Sequence, residues 1–131
     1  MKALDTNVLV RFLTQDDPLQ SRRANQYIEE VVAREESCLI NLVVLCEMVW
    51  VLESAYRHPK TAILDLLGRV LSTSEFEIEN KEVVWATLED FKNSRADFSD
   101  CLIGRLNQRL GCDETVSFDS AVKTLPGFRL L

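Results

Sequence analysis

Apolar and polar residues alternate along this chain in two different rhythms. Short, mostly apolar runs bounded by turn residues predict strands. These runs cover residues 2–5, 37–41, 76–79 and 115–118, with 128–131 as a candidate fifth. Between them, apolar residues recur every three or four positions, which is the period of an α-helix. The predicted helices cover residues 6–13, 18–34, 42–56, 60–71, 81–93 and 98–110.

The alternation of strands with helices predicts the fold class. It is typical of an α/β sandwich, in which a mainly parallel sheet is flanked by helices. Thr6 or Asn7 is expected near the cap of the first helix, and Asn41 is expected to cap the third. Gly111 suits the position just after the last helix. With 131 residues and no linker-like stretch, the chain is expected to be a single domain, residues 1–131.

Composition excludes several classes of protein. The hydrophobic content is 47%, with only four Gly and three Pro, which excludes a disordered or low-complexity chain. No apolar stretch is long enough to span a membrane, and the N-terminus lacks the apolar region of a signal peptide. We therefore expect a cytoplasmic protein. Its four cysteines form no C-x-x-C pair and it has one histidine, so a structural zinc site is not expected.

The net charge of −6 argues against a protein that binds nucleic acid by general attraction to phosphates. It does not exclude a protein that holds cations, because a bound metal ion inverts the local charge.

Two aspartates stand at the ends of predicted strands. Asp5 is the last residue of the first strand and Asp119 follows the fourth. Ligands of α/β sheets bind at the carboxyl ends of parallel strands, so both carboxylates are expected to face one crevice. The alternatives are that Asp5 caps the next helix and that Asp119 forms a turn.

Glu47 lies inside the otherwise apolar run 42–52. Such a helix is expected to be buried on more than one face, where an unpaired carboxylate is costly and needs a cation. A structural Arg pair, or a narrow hydrated stripe shared with Glu53 or Tyr56, is the alternative.

Asp97 and Asp100 stand at the start of the last predicted helix. A capping-box-like arrangement, with Asp97 as N-cap and Asp100 three residues on, accounts for Asp97 and leaves Asp100 ambiguous. One site would collect Asp5, Glu47, Asp100 and Asp119. Several ionised carboxylates close together require a cation, and oxygen-only ligands favour Mg²⁺ or Mn²⁺.

Four short motifs in this order resemble the PIN-domain ribonucleases, and most closely the VapC toxins of bacterial toxin–antitoxin pairs. The motifs are Leu4-Asp5-Thr6-Asn7-Val8-Leu9, Val44-Leu45-Cys46-Glu47-Met48, Ala96-Asp97-Phe98-Ser99-Asp100-Cys101-Leu102-Ile103 and Val116-Ser117-Phe118-Asp119. The resemblance covers essentially the whole chain. Arg105 departs from the pattern, since many relatives have a small residue there.

The resemblance implies a PIN fold, a three-layer sandwich with a four- to five-stranded sheet, and a Mg²⁺-dependent endoribonuclease. Asp5, Asp100 and Asp119 would hold one or two metal ions, and Glu47 would bind a metal ion or orient the water. Asp97 occupies a commonly acidic position. Thr6, Asn7 and Ser117 would hydrogen-bond ligands or substrate, although Asn7 could simply cap a helix.

The resemblance also implies partners. They are an RNA substrate, a VapB-like antitoxin on a separate chain and a second copy of this chain in a homodimer. The toxin of such a pair would inhibit translation.

Two other classes stay open at this point. Asp5-Thr6-Asn7-Val8 partly resembles the start of haloacid-dehalogenase phosphatases, but Asn7 stands where that chemistry needs a general-acid Asp. A receiver-like or purely binding domain would hold Mg²⁺ without hydrolysis. A receiver would need paired acids after the first strand and an acceptor Asp after the third, which ends in Glu79-Asn80.

Overall fold

Six α-helices and five short strands follow one another in the computed structural model, which describes residues 1–131. The chain forms two compact units, Met1–Glu79 and Asn80–Leu131. The elements of the first unit are β1 (Lys2–Ala3), α1 (Thr6–Thr14), α2 (Pro18–Ala33), β2 (Cys38–Ile40), α3 (Leu42–Ser54), α4 (Lys60–Ser72) and β3 (Phe76–Ile78). Those of the second are α5 (Lys81–Lys92), α6 (Phe98–Arg109), β4 (Thr115–Ser117), a 3-10 helix (Ser120–Val122) and β5 (Phe128–Leu130).

The first unit is built on a parallel three-stranded sheet. Its order is β1-β2-β3, with Lys2 opposite Cys38 and Leu39 opposite Glu77. Cys38 and Ile40 of the middle strand are completely buried. Because all three strands run the same way, their carboxyl ends share one edge of the sheet, and α1 and α3 begin at that edge.

The start of α3 is fixed by two side chains. The Asn41 side chain accepts a hydrogen bond from the Val44 N–H at 2.9 Å, as expected of an N-cap. The Glu79 carboxylate, just beyond β3, accepts from the Leu42 N–H at 2.9 Å. Both contacts satisfy N–H groups that a helix leaves without partners, so α3 is tied to the ends of two strands.

In the second unit, α5 packs on α6 and a two-stranded parallel sheet follows. Arg105 on α6 forms a two-point ion pair with Asp90 on α5, with N–O distances of 2.6 and 2.9 Å. Phe91 and Phe98 meet edge to face, with ring centroids 5.8 Å apart. Arg105 is therefore engaged in holding the two helices together.

The sequence predictions of fold class and element order are confirmed. All predicted helices and strands are present, the candidate fifth strand is β5, and every strand pair is parallel. Two details differ. The strands are hydrogen-bonded as one sheet of three and one of two, and the first helix is capped by Asp5 instead of Thr6 or Asn7. None of the helices combines the length and apolar character needed to cross a membrane.

Candidate functional site

Asp5 stands between β1 and α1 at the carboxyl edge of the three-stranded sheet. Its Oδ1 accepts a hydrogen bond from the Thr6 N–H at 2.8 Å, so it caps α1. The residue is nevertheless exposed. Capping uses one carboxylate oxygen, and the other stays available to a ligand.

The Thr6 hydroxyl connects this helix start to Glu47. Thr6 is buried, and its Oγ1 donates to Glu47 Oε2 at 2.7 Å. This contact joins α1 to α3 and restricts the rotation of the Glu47 carboxylate. The structure thus brings together the first two predicted motifs, and we refer to Asp5, Thr6 and Glu47 as the Asp5 cluster.

The predicted burial of Glu47 is wrong. Glu47 is exposed, on a side of α3 where Val43 and Trp50 are also 65% and 67% exposed. The opposite side of α3, including Leu45, Met48 and Leu52, is fully buried. Apolar residues therefore occupy both faces of this helix, and the composition of the run does not reveal which face is covered.

A cavity of about 370 Å³ opens beside the Asp5 cluster, and Asn7, Arg11 and Tyr56 also line it. Asn7 and Arg11 are four residues apart and so share one side of α1. That spacing was the available signal for Arg11, which the sequence reasoning missed. The Asn7 side chain makes no hydrogen bond within the chain, which leaves its amide available to a ligand.

Arg11 is held by a small hydrogen-bonded network. Its Nη1 lies 3.0 Å from Asp16 Oδ2 and 2.6 Å from the Tyr56 hydroxyl. Hydrogen bonds to Asp16 from Thr14, Tyr56 and Arg11 lower the pKa of that carboxyl to about 2. The guanidinium charge at this cavity is therefore partly balanced by a neighbouring carboxylate.

The second unit holds another acidic group, Asp97, Asp100 and Asp119, which we call the Asp100 cluster. Asp97 occupies the N-cap position of α6, yet its side chain forms no capping hydrogen bond. Asp119 Oδ1 accepts from the Ala121 N–H at 2.9 Å, and the Asp119 N–H donates to Ser117 Oγ at 3.0 Å. The turn alternative for Asp119 is thus present, and Ser117 supports that turn.

Burial raises the pKa of the Asp100 carboxyl, and the negative charges of Asp97 and Asp119 raise it further. A hydrogen bond from the Asp97 backbone N–H to the Asp100 carboxylate opposes this shift. It is one of the two hydrogen bonds of the capping box that the sequence predicted as an alternative role for these acids. A cation bound beside Asp100 would offset the repulsion that its carboxylate meets from Asp97 and Asp119. Of these three residues, Asp97 and Asp119 are exposed and Asp100 is half-buried.

The donor chemistry of both clusters suits a hard divalent cation. Their side-chain donors are carboxylate and hydroxyl oxygens, without nitrogen or sulfur, which favours Mg²⁺ or Mn²⁺ over zinc. Nowhere in the chain do three His, Cys, Asp or Glu side chains stand together at the spacing that holds a metal ion. Support for a metal ion therefore comes from the donor types and from the shifted pKa of Asp100.

The comparisons with known proteins agree with these observations. A family model of the PIN domain matches residues 2–127, and the chain belongs to this family. The chain is also similar to the VapC ribonuclease of Aquifex aeolicus (strain VF5), with 29% identity over 129 residues, or 98% of this chain and 94% of that protein. No solved structure matches at a significant level. The predicted family is confirmed, and a haloacid-dehalogenase phosphatase is not favoured.

Proposed function

We propose that this PIN-domain protein is a Mg²⁺-dependent endoribonuclease. The observation that carries the proposal is the Asp100 cluster, where burial and the charges of Asp97 and Asp119 raise the pKa of Asp100 at a motif that resembles the family's. The similarity to a VapC ribonuclease supports the choice of RNA as substrate. A single family model extends through both compact units, which supports one PIN domain over residues 1–131.

In this proposal, Asp5, Glu47, Asp100 and Asp119 hold Mg²⁺ or Mn²⁺. The assignment of both clusters to one reaction rests on the order of the four motifs. The chemistry that a divalent ion supplies in such a site is a more nucleophilic water and compensation of phosphate charge. Thr6 keeps the Glu47 carboxylate oriented, Ser117 supports Asp119, and Asp97 adds negative charge beside Asp100.

The reaction is hydrolysis of an RNA phosphodiester. Water adds to phosphorus, the P–O3′ bond breaks, and the 3′ oxygen leaves with a proton. The products then carry a 5′-phosphate and a 3′-hydroxyl. The adjacent 2′-hydroxyl takes no part, so no cyclic phosphate is expected.

The test is cleavage of an end-labelled RNA with and without Mg²⁺. Asp5→Asn and Asp100→Asn should each abolish metal-dependent cleavage while the circular dichroism spectrum stays that of the folded protein. Asp113→Asn is the matched control, because Asp113 is an exposed acid outside both clusters. Full activity in folded Asp5→Asn would refute the site assignment. Hydrolysis of a small phosphate ester, with RNA untouched, would favour a phosphatase.

The toxin role is a proposal of its own. We infer, from the similarity to a VapC ribonuclease, that the protein inhibits translation and is neutralised by a VapB-like antitoxin encoded separately. Adding the protein to a cell-free translation system should stop protein synthesis, and Asp5→Asn should not. Unimpaired synthesis alongside efficient cleavage of purified RNA would indicate a nuclease with another role.

We also propose a homodimer that uses the exposed apolar side of α3. Val43 lies in the first turn of the helix and Trp50 lies about two turns further on, and both are largely exposed. Large exposed apolar side chains grouped on one helix face are typical of an interface.

A further inference from the structure

A cavity of about 690 Å³ in the second unit is lined by three cationic residues and three hydroxyl groups. The cations are Lys92, Arg95 and Lys123, and the hydroxyls belong to Ser94, Ser120 and Thr124. The wall is formed by two short segments, one at the end of α5 and just beyond it, and one that includes the 3-10 helix. A concave surface with several cations and hydroxyl donors is suited to phosphate oxygens.

The three cations have no anionic partner within the chain. Arg105, Arg109 and Arg129 of the same unit each form an ion pair. Lys92, Arg95 and Lys123 form none, and all three are exposed. In a chain with a net charge of −6, the grouping of three unpaired cations at one cavity is a local concentration of positive charge. Their charge is therefore available to a bound anion.

The same two segments adjoin two acids of the Asp100 cluster, Asp97 at the start of α6 and Asp119 at the start of the 3-10 helix. Arg95 lies two residues before Asp97, and Ser120 directly follows Asp119. The link is tightened by the Ala121 N–H, which donates to Asp119 while Ala121 lines the cavity. A polyanion held in this cavity would thus extend beside the acids that are proposed to act on it.

We propose that the cavity bounded by Lys92, Arg95 and Lys123 binds the phosphates of the RNA strand next to the bond that is cut. The inference rests on the proposed function and names the substrate-binding surface of the same site. It explains how an acidic protein retains an anionic polymer, because the unpaired cations offset the repulsion from the Asp100 cluster. The phosphodiesters of RNA are evenly spaced along the strand, so they can contact three separate cations at once, which a single small anion cannot do.

The experiment measures binding without cleavage. A fluorescent single-stranded RNA is titrated with the Asp100→Asn protein, and anisotropy is recorded at several salt concentrations. The test variant adds Lys92→Gln, Arg95→Gln and Lys123→Gln. The control variant instead adds Arg34→Gln, Arg69→Gln and Lys81→Gln, three exposed cations outside the cavity. The two variants have the same net charge, so any difference between them reports the position of the charges.

We expect the test variant to bind at least tenfold more weakly than its parent, with the control within about twofold. The slope of log K against log salt should become shallower by about 0.7 for each phosphate of a single strand that the variant no longer neutralises, or about 2 for all three cations. Unchanged binding in the test variant, or equal weakening in both variants, would overturn the proposal. A polyglutamate peptide is titrated in the same way as a second probe. If the test variant bound RNA as tightly as its parent but no longer bound polyglutamate, the cavity would be assigned to an acidic protein partner, and the proposal would be overturned.

Cleavage by the otherwise wild-type protein separates the two proposals. RNA bound through the cavity but never cleaved would refute the nuclease assignment and support this inference. Metal-dependent cleavage by a protein whose RNA affinity does not depend on the three cations would support the nuclease assignment and refute this inference.

Discussion

The Thr6 hydroxyl shows how one buried polar atom can set the geometry of an exposed acid. Thr6 is only 7% exposed, and its hydrogen bond to Glu47 is the one described link between the side chains of these two motifs. Groups that orient a catalytic or metal-binding side chain typically contribute about 10–100-fold to metal affinity or activity. Thr6 is therefore a positioning residue in the proposed reaction.

Thr6→Val should lower single-turnover RNA cleavage by about 10–100-fold, because the isosteric side chain fills the same space without orienting Glu47. Thr6→Ser should restore most of the rate, since it keeps the hydroxyl. The measurement is the cleavage rate as a function of Mg²⁺ concentration. Thr61→Val on the exposed side of α4 serves as control. A Thr6→Val protein that cleaves RNA as fast as wild type at every Mg²⁺ concentration would show that Thr6 does not position Glu47 for the reaction.

Asp100 links the acidic site to the stability of the metal-free protein. Burial and the charges of Asp97 and Asp119 raise its pKa in the folded state above the ordinary value near 3.8. The folded state therefore binds this proton more tightly than the unfolded state does. The associated stability is fully present below pH 3.8 and is lost as the pH rises through the folded-state pKa.

Asp100→Asn should consequently raise the unfolding temperature of the metal-free protein at pH 7, because the amide carries no charge to desolvate. The gain should disappear below pH 3.8, where the wild-type carboxyl is protonated in both states. Thermal unfolding in EDTA across this pH range tests the prediction, with Asp113→Asn as a variant expected to show no gain. A destabilised Asp100→Asn protein at neutral pH would show that the carboxylate has a structural role.

At the scale of elements, two helical glycines differ in the space around them: Gly104 is closely packed and Gly68 is not. A Cβ on Gly104 of α6 would lie 2.5 Å from Cε2 of Phe128 in β5, whereas a Cβ on Gly68 of α4 would meet nothing within 4 Å. Alanine stabilises a helix relative to glycine, but only where its methyl group fits.

Gly104→Ala should therefore lower the free energy of unfolding by about 1–3 kcal/mol, through overpacking against Phe128. Gly68→Ala should raise it by about 0.5–1 kcal/mol. Urea unfolding measures both, and each variant is the other's control. Combining Gly104→Ala with Phe128→Leu should recover part of the loss, since a smaller side chain then faces the new methyl group. An unchanged Gly104→Ala protein would mean that α6 and β5 separate easily.

The sequence was sufficient for the elements because their periodicity is local. The predicted helix at residues 42–56 corresponds to α3, and Asn41 caps it as expected. The exposure of Glu47 could not be predicted, because both faces of α3 are apolar and burial depends on what packs against them. The Thr6–Glu47 hydrogen bond likewise joins residues 41 positions apart, so it follows from the packing of α1 against α3.

For the candidate site, the sequence predicted which acids are present and at which ends of elements they stand. It did not predict which side chains contact one another. Asp5 and Asp119 were predicted from the strands that precede them, and both also serve local turns or caps. The cavity cations Lys92, Arg95 and Lys123 have no spacing that marks them in the sequence. They are identified only when the structure shows that they line one cavity.

At the scale of the whole molecule, the two compact units raise the question of cooperativity. If residues 1–131 are one domain, both units should unfold together. Each unit contains one tryptophan, Trp50 in Met1–Glu79 and Trp85 in Asn80–Leu131. In Trp50→Phe and Trp85→Phe, the remaining tryptophan reports on one unit at a time.

We expect fluorescence-monitored urea unfolding of these two variants to follow circular dichroism with a single midpoint for each protein. A fluorescence midpoint that differs from the circular dichroism midpoint of the same variant would show that the units unfold separately. The comparison within one variant removes any effect of the substitution itself on stability.

Self-association is the remaining property of the whole molecule, and α3 makes it testable. Val43 and Trp50, seven residues apart, lie on the same side of the helix and are 65% and 67% exposed. A stable dimer buries about 800 Å² on each partner, and a central aromatic side chain usually dominates its affinity.

Trp50→Glu should therefore convert a dimer into a monomer, as measured by light scattering at micromolar concentration. Trp85→Glu makes the same change at the other tryptophan, which is 43% exposed on α5, and should leave the dimer intact. A wild-type monomer at high micromolar concentration, or a Trp50→Glu dimer as tight as wild type, would rule out this side of α3 as the interface.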